Sequence, residues 1–264
     1  MRFLIHEIRL FFIALQFFTR VPVPAWVGYH PDWLQACQRY FPLVGALVGT
    51  AGALALATTA AFWPPLVAVL LSMAFTVWLT GGFHEDGWAD TCDALGGTVS
   101  RERALEIMKD SRIGAFGAMA LVLALLAKVS LLALLGAHSL GAVLAALAGG
   151  HVLSRLWPLF IVRWLPHVGD TARSKSKPLA DQISRSALAA AALWCFVPLA
   201  LVYQAQAATF LIASITLSMA AAAWMGRWFA RRLQGFTGDC LGATQQVGDI
   251  GFYLGAALAL GAAR

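Results

Sequence analysis

Long uninterrupted apolar runs dominate the chain. Six of them, residues 41–62, 64–80, 113–135, 140–165, 187–203 and 208–229, are long enough or nearly so to cross a bilayer as helices. A crossing takes about 20 residues at a rise of about 1.5 Å each. A seventh run, 250–263, is short for a span. The first run, 3–18, carries His6, Glu7 and Arg9 in its middle and reads as an interfacial or re-entrant helix. Membrane strands alternate with period two, and these runs do not, so helices are strongly preferred to a barrel. The pattern predicts an all-α, polytopic membrane helical bundle of six to eight membrane segments, one domain over residues 1–264.

Composition agrees. Sixty per cent of the residues are hydrophobic and only 12% are charged, against about 25% charged in soluble domains. The four cysteines form no CxxC pair and imply neither a zinc site nor a disulfide frame. Charge then orients the helices. Segments 20–40, 81–112, 163–186 and 227–249 hold 14 of the 19 Lys and Arg, whereas the turns near Trp63, at 136–139 and at 204–207 hold none. Six crossings place all four loaded segments on one face, which the positive-inside rule makes cytoplasmic. Every acidic residue except Glu7 follows them. The net charge of +6 reflects the Lys and Arg excess of these loops and helps attract anionic lipids or substrates. No basic run is interleaved with aromatics, so nucleic acid is not an expected partner. Whether the chain forms a homo-oligomer is left open.

The most informative stretch is Gly81-Gly82-Phe83-His84-Glu85-Asp86-Gly87-Trp88-Ala89-Asp90-Thr91-Cys92-Asp93-Ala94-Leu95-Gly96-Gly97. Asp86, Asp90 and Asp93, spaced i, i+4, i+7, fall within an arc of about 60° on one helix face. Three like charges there repel each other, and a divalent cation between them relieves this. Oxygen ligands of this kind suit Mg²⁺ or Mn²⁺ shared with substrate phosphates. The bland alternative is a solvated acidic helix end. The glycine pairs Gly81-Gly82 and Gly96-Gly97 serve either close approach to a ligand or helix punctuation. His84 is a ligand or a packing histidine.

Further along, Lys109-Asp110-Ser111-Arg112 precedes an apolar run. Lys109 and Arg112 suit anionic oxygens, the alternative being membrane-edge snorkelling. Asp239, in the Gly-rich segment 235–244, adds a carboxylate on the same face, or marks a turn. Arg155, four residues from His151 inside an apolar run, is costly there and is placed for function or paired. Lys128 is a weaker case of the same kind. The polar stretch 170–177, with Arg173 and Lys177, reads as a solvated loop or a substrate lid.

Residues 80–97 resemble the GGxHxDGxADTxD signature of the cobalamin synthase family, the adenosylcobinamide-GDP ribazoletransferases. Residues 15–24 (LQFFTRVPVP), 41–45 (FPLVG), 107–114 (IMKDSRIG) and 238–243 (GDCLGA) agree in order and spacing. The chain departs from the family pattern at Glu85, where a less acidic residue is usual, and at Asp249, where a Glu is usual. The resemblance implies a multi-pass enzyme of the inner membrane that depends on Mg²⁺. It joins adenosylcobinamide-GDP to α-ribazole, or its 5′-phosphate, and releases GMP, giving adenosylcobalamin or its phosphate.

On this reading Asp86, Asp90 and Asp93 hold the metal, and Lys109 and Arg112 add fixed positive charge. Asp93 or Asp110 activates the ribazole hydroxyl. Gly82, His84, Gly96, Gly97, Arg155 and Asp239 bind substrate. A CDP-alcohol lipid phosphotransferase and a cation-coupled transporter are the rival expectations.

Overall fold

Each of the six longest apolar runs is a helix in the computed structural model, which describes residues 2–169 and 182–261. In chain order the helices are α1 (Arg2–Phe18), α2 (Pro31–Ala36), α3 (Phe41–Ala60), α4 (Pro65–Thr80), α5 (Phe83–Leu95), α6 (Arg101–Ile107), α7 (Ala115–His138), α8 (Leu140–Trp164), α9 (Arg185–Ala205), α10 (Ala208–Arg232) and α11 (Gly238–Gly261). Among the described residues there is no strand, only an isolated bridge between His167 and Phe236. The boundaries follow local chemistry. Ser139, Ser184 and Ser100 accept backbone N–H groups of Ala142, Ala187 and Arg103, capping α8, α9 and α6. The candidate lid around Arg173 and Lys177 lies outside the described residues.

The protein is a polytopic helical membrane protein. Five helical stretches are long and apolar enough to cross a bilayer: α2 through α3, α7, α8, α9 and α10. A sixth counts if α4 and α5, bent by 87° at their junction, form one broken span. α4 alone has 16 residues, about 24 Å of helix.

The last helix differs from expectation. The Gly-rich segment at 235–244 is not a turn ahead of a short span; from Gly238 onward it belongs to the 24-residue helix α11. Its polar side chains are enclosed: Gln245 and Gln246 are each 2% exposed and Asp249 is fully buried. α11 packs against α10, α8, α5 and α7. A helix surrounded by protein need not be apolar, so a hydropathy pattern can pass over it.

The mid-segment charges of α1 are likewise explained. Leu10, Ile13 and Ala14 are buried, whereas Phe3, Leu4, Ile5 and Ile8 are exposed. Glu7 accepts a hydrogen bond from the Tyr40 hydroxyl at 2.6 Å and pairs with Arg39 at 3.4 Å.

The loaded segments meet at one end of the bundle. The Arg20 N–H donates to Leu79 O. Gln35 donates to Gln182 O. The Val168 N–H donates to Phe236 O, and the Phe236 N–H donates to Pro166 O. Two arginines clasp the segment between α5 and α6: Arg232 donates to Leu95 O and Gly97 O, each at 2.9 Å, and Arg101 donates to Leu233 O at 2.6 Å. At the other end Gly136 lies against Pro65 and Val143, and Gly141 against Gln206.

Two-faced topology has a direct test by cysteine labelling in intact vesicles. Thr98→Cys and Gln234→Cys should react from one side, and Ala137→Cys and Ala205→Cys from the other. Labelling of Thr98→Cys and Ala137→Cys from the same side would overturn it.

Candidate active site

The acidic face is aimed by a corner. Gly81 and Gly82 both sit near φ +71°, in the left-handed region that side chains resist. Their N–H groups donate to Trp78 O and Val77 O, ending α4, and the chain leaves at 87° as α5. Gly82 has open space beside it, so what requires glycine there is the backbone conformation.

α5 then runs alongside α11. Gly87 makes this possible: a Cβ on it would stand 2.9 Å from Asp239 O. The first turn of α11, bearing Asp239, therefore lies against α5 between Asp86 and Asp90 in sequence. Burial, then the charges of Asp86, Asp239 and Asp93, pushes the Asp90 carboxyl up to about 7. Burial and the Asp86 charge push Asp239 up to about 6. Sequence spacing found three of these carboxylates on one face; the fold adds the fourth from 146 residues downstream.

Asp93 has a separate task. Its Oδ2 accepts the Gly114 N–H and its Oδ1 the Gly117 N–H, both at 2.7 Å. The carboxylate thus caps the N-terminus of α7 and locks the signature helix to the end of the 107–114 motif. Within that motif Asp110 and Arg112 pair in a two-pronged contact. Nη2 donates to Oδ2 at 2.6 Å and Nε to Oδ1 at 3.0 Å. Arg112 holds the Asp110 carboxyl down to about 2. Lys109, Asp110 and Arg112 stand on the same end of the bundle as α5, with Arg112 exposed.

The other sequence-predicted residues are packed more deeply. His84 is 3% exposed and stacks on Phe18 with ring centroids 5.4 Å apart. Gly97 O accepts from Arg232, and Gly96 caps α5. Arg155, 2% exposed, donates to His151 O at 3.0 Å; it is inside the bundle, not on the acidic face. Sequence reasoning missed Gln245 and Gln246, two adjacent amides in an enclosed helix. It also left Glu85 and Asp249 without roles, although Lys128 of α7 forms a buried ion pair with Asp249 at 2.9 Å.

Among the described residues no three His, Cys, Asp or Glu already converge as a closed metal cage. The donor set nevertheless fits a substrate-borne ion. Mg²⁺ commonly takes one or two protein carboxylates, the remainder being water and phosphate oxygen. Burial and its acidic neighbours hold Asp90 up to about 7, and a bound cation would favour its ionised form.

Comparison with known proteins gives the family. The cobalamin-5-phosphate synthase family matches residues 10–257. The chain belongs to that family. A relative from Leptothrix cholodnii is 54% identical over 96% of both chains. One from Polaromonas sp. is 55% identical over 96% of this chain and 98% of its own. One from Vibrio cholerae is 41% identical over 94% and 93% respectively. All three are named adenosylcobinamide-GDP ribazoletransferase. Neither a CDP-alcohol phosphotransferase nor a transporter finds support among these relatives. The family match runs from α1 into α11 and so includes the corner, the acidic face and the α7 cap. No solved structure matches the chain.

Two measurements probe the acidic face. Asp93→Asn leaves one backbone N–H facing an amide NH₂ and should cost about 1–3 kcal/mol of stability. Exposed Asp86→Asn should stay within about 0.5 kcal/mol. Thermal unfolding in matched detergent separates them.

The second is pH. Asp90 and Asp239 bind protons more tightly in the native state than in the unfolded chain, where Asp titrates near about 3.9. The native state therefore holds extra protons between about pH 4 and 7, and stability falls as pH rises through that window. A divalent cation offsets the repulsion only when the carboxylates are ionised. The gain in Tm from millimolar Mg²⁺ should be larger at pH 8 than at pH 5, and Asp90→Asn should remove most of the difference.

Proposed function

We propose that this chain is an adenosylcobinamide-GDP ribazoletransferase of the inner membrane, with its active site on the cytoplasmic face. It moves the adenosylcobinamide phosphate group from adenosylcobinamide-GDP to the 5′-hydroxyl of α-ribazole or α-ribazole 5′-phosphate. The products are adenosylcobalamin, or its 5′-phosphate, and GMP. The observation that carries the reading is the carboxylate set of α5 and α11, lying within the residues that match the family. The cytoplasmic assignment rests on the positive-inside rule.

The ribazole oxygen forms a new bond to the cobinamide-side phosphorus. The bond from that phosphorus to the bridging oxygen breaks, and the electron pair leaves with GMP. Asp86 and Asp90 would hold Mg²⁺, which when bound neutralises charge on the diphosphate and the leaving GMP. The hydroxyl proton needs an acceptor. Asp110, held down to about 2 by Arg112, accepts a proton poorly at neutral pH. Both oxygens of Asp93 already accept backbone N–H groups. Asp239, raised to about 6 and set against Gly87, is better matched to general-base work. Lys109 and Arg112 supply fixed positive charge at the edge. For Arg112 to grip phosphate, its fork must first leave Asp110.

The test is product analysis with purified chain in liposomes. GMP should appear only with corrinoid-GDP, ribazole and a divalent ion together. Asp86→Asn and Asp90→Asn should each lower the rate by at least about a hundredfold. Arg112→Lys should lower kcat/KM about tenfold or more, because Lys cannot reproduce the planar fork. CMP release from a CDP-lipid donor, with none from corrinoid-GDP, would overturn the assignment.

A further inference from the structure

Behind α5, inside the helix bundle, lies a chamber of about 30 Å³. Its wall includes His84 and Glu85 of α5, Lys128 of α7, Arg155 of α8, and Gln246 and Asp249 of α11. Lys128 donates to Asp249 Oδ2 at 2.9 Å and to Gln246 Oε1 at 3.1 Å. Gln246 Nε2 donates to Gln245 Oε1 at 2.9 Å, and Gln245 Nε2 donates to Asp249 Oδ2 at 2.9 Å. These four bonds close a ring. Gln246 Nε2 also donates to Glu85 Oε1 at 3.0 Å, tying the ring to the first turn of α5.

Four buried atoms of the wall residues have no hydrogen-bond partner among the described residues: Glu85 Oε2, Asp249 Oδ1, Arg155 Nε and His84 Nε2. The carboxylate oxygens accept, the guanidinium nitrogen donates, and the imidazole nitrogen does either according to tautomer. Leaving such groups unpaired in the interior is destabilising. An apolar occupant would leave all four unpaired. A metal ion fits no better. Lys128 and Arg155 already balance Glu85 and Asp249, and no three His, Cys, Asp or Glu among the described residues converge as ligands. Water both donates to carboxylates and accepts from a guanidinium. It needs about 10–15 Å³ and two to four polar partners, so the chamber admits one or two molecules.

We propose that this chamber is a water-binding site, and that its water and the Lys128 ring together fix the rotation of α5 for the transfer reaction. The second half rests on the reading of α5 as the catalytic helix. The far end of α5 is held by Asp93 on the α7 backbone. At the near end the glycine corner sets direction, while Glu85 sets rotation. Asp86 follows Glu85 directly, so a turn of the helix that broke the Gln246–Glu85 bond would swing Asp86 by the same angle. Gln246 and Lys128 are positioning residues; they act through Glu85.

The water is tested by X-ray hydroxyl-radical footprinting of the intact protein in nanodiscs, where ordered water is itself the probe. Tyr253, 1% exposed and on the chamber wall, should be oxidised. Phe252, fully buried and away from it, should not. Absence of label at Tyr253 overturns the water site. Lys128→Met/Asp249→Leu replaces the ion pair with hydrocarbon of similar bulk, a kind of change that buried ion pairs often tolerate, and should weaken the Tyr253 label, since Asp249 Oδ1 is one of the four unpaired atoms.

In the same variant kcat for GMP release should fall at least about tenfold, while KM for the nucleotide donor stays within about twofold. An unchanged kcat overturns the positioning role. If that variant fails to insert, Gln246→Met cuts the link to Glu85 while leaving the Lys128–Asp249 ion pair in place, and carries the same kcat reading. The labelling needs no substrate. A wild-type chain that labels at Tyr253 yet releases no GMP defeats the assigned reaction and leaves the water site standing.

Discussion

Two consecutive left-handed residues govern the rest of the molecule. An α-helix cannot continue through Gly81 and Gly82, so α4 stops while still short of a full crossing and α5 leaves it at 87°. Without that corner the three aspartates would extend along a membrane-spanning axis, each at a different depth and at a steep desolvation cost. With it they share the edge of the bundle, where water, a cation and a phosphate can all reach them.

The corner is useful only because a polar helix stands behind it. α11 begins with Asp239 against Gly87 and continues inward past Gln245, Gln246 and Asp249. One helix thus faces both the acidic edge and the buried ion pair. Its polarity is tolerated because four other helices shield it from lipid, and its amides find partners within the protein. The arrangement couples the depth of the bundle to the rotation of the surface helix.

Much of the fold was legible in the sequence, since α3, α7, α8, α9 and α10 read directly as apolar runs. Such runs register apolar composition, which is why α11 escaped: its first half is polar and Gly-rich and reads as a turn although it is helical and enclosed. The site was legible to a similar depth. Spacing put Asp86, Asp90 and Asp93 on one face, but periodicity could not separate Asp93, which caps α7, from its neighbours. That distinction depends on the Gly114 and Gly117 N–H groups, brought in by a tertiary contact. Arg155 illustrates the opposite limit. An intramembrane arginine draws attention, yet the fold turns it toward His151 and away from the acidic edge.

The arginine clasp between α10 and the segment after α5 bears on how the molecule can be engineered. Arg232 takes the carbonyls of Leu95 and Gly97, and Arg101 returns the contact to Leu233. A domain grafted into residues 95–101 must break these charge-assisted bonds and loosen the helix that carries the aspartates. Among the described residues the turn at 136–139 has no such staple beyond the Ser139 cap. A rigid fusion partner, of the sort used to enlarge small membrane proteins for electron microscopy, belongs there, on the face remote from the chemistry.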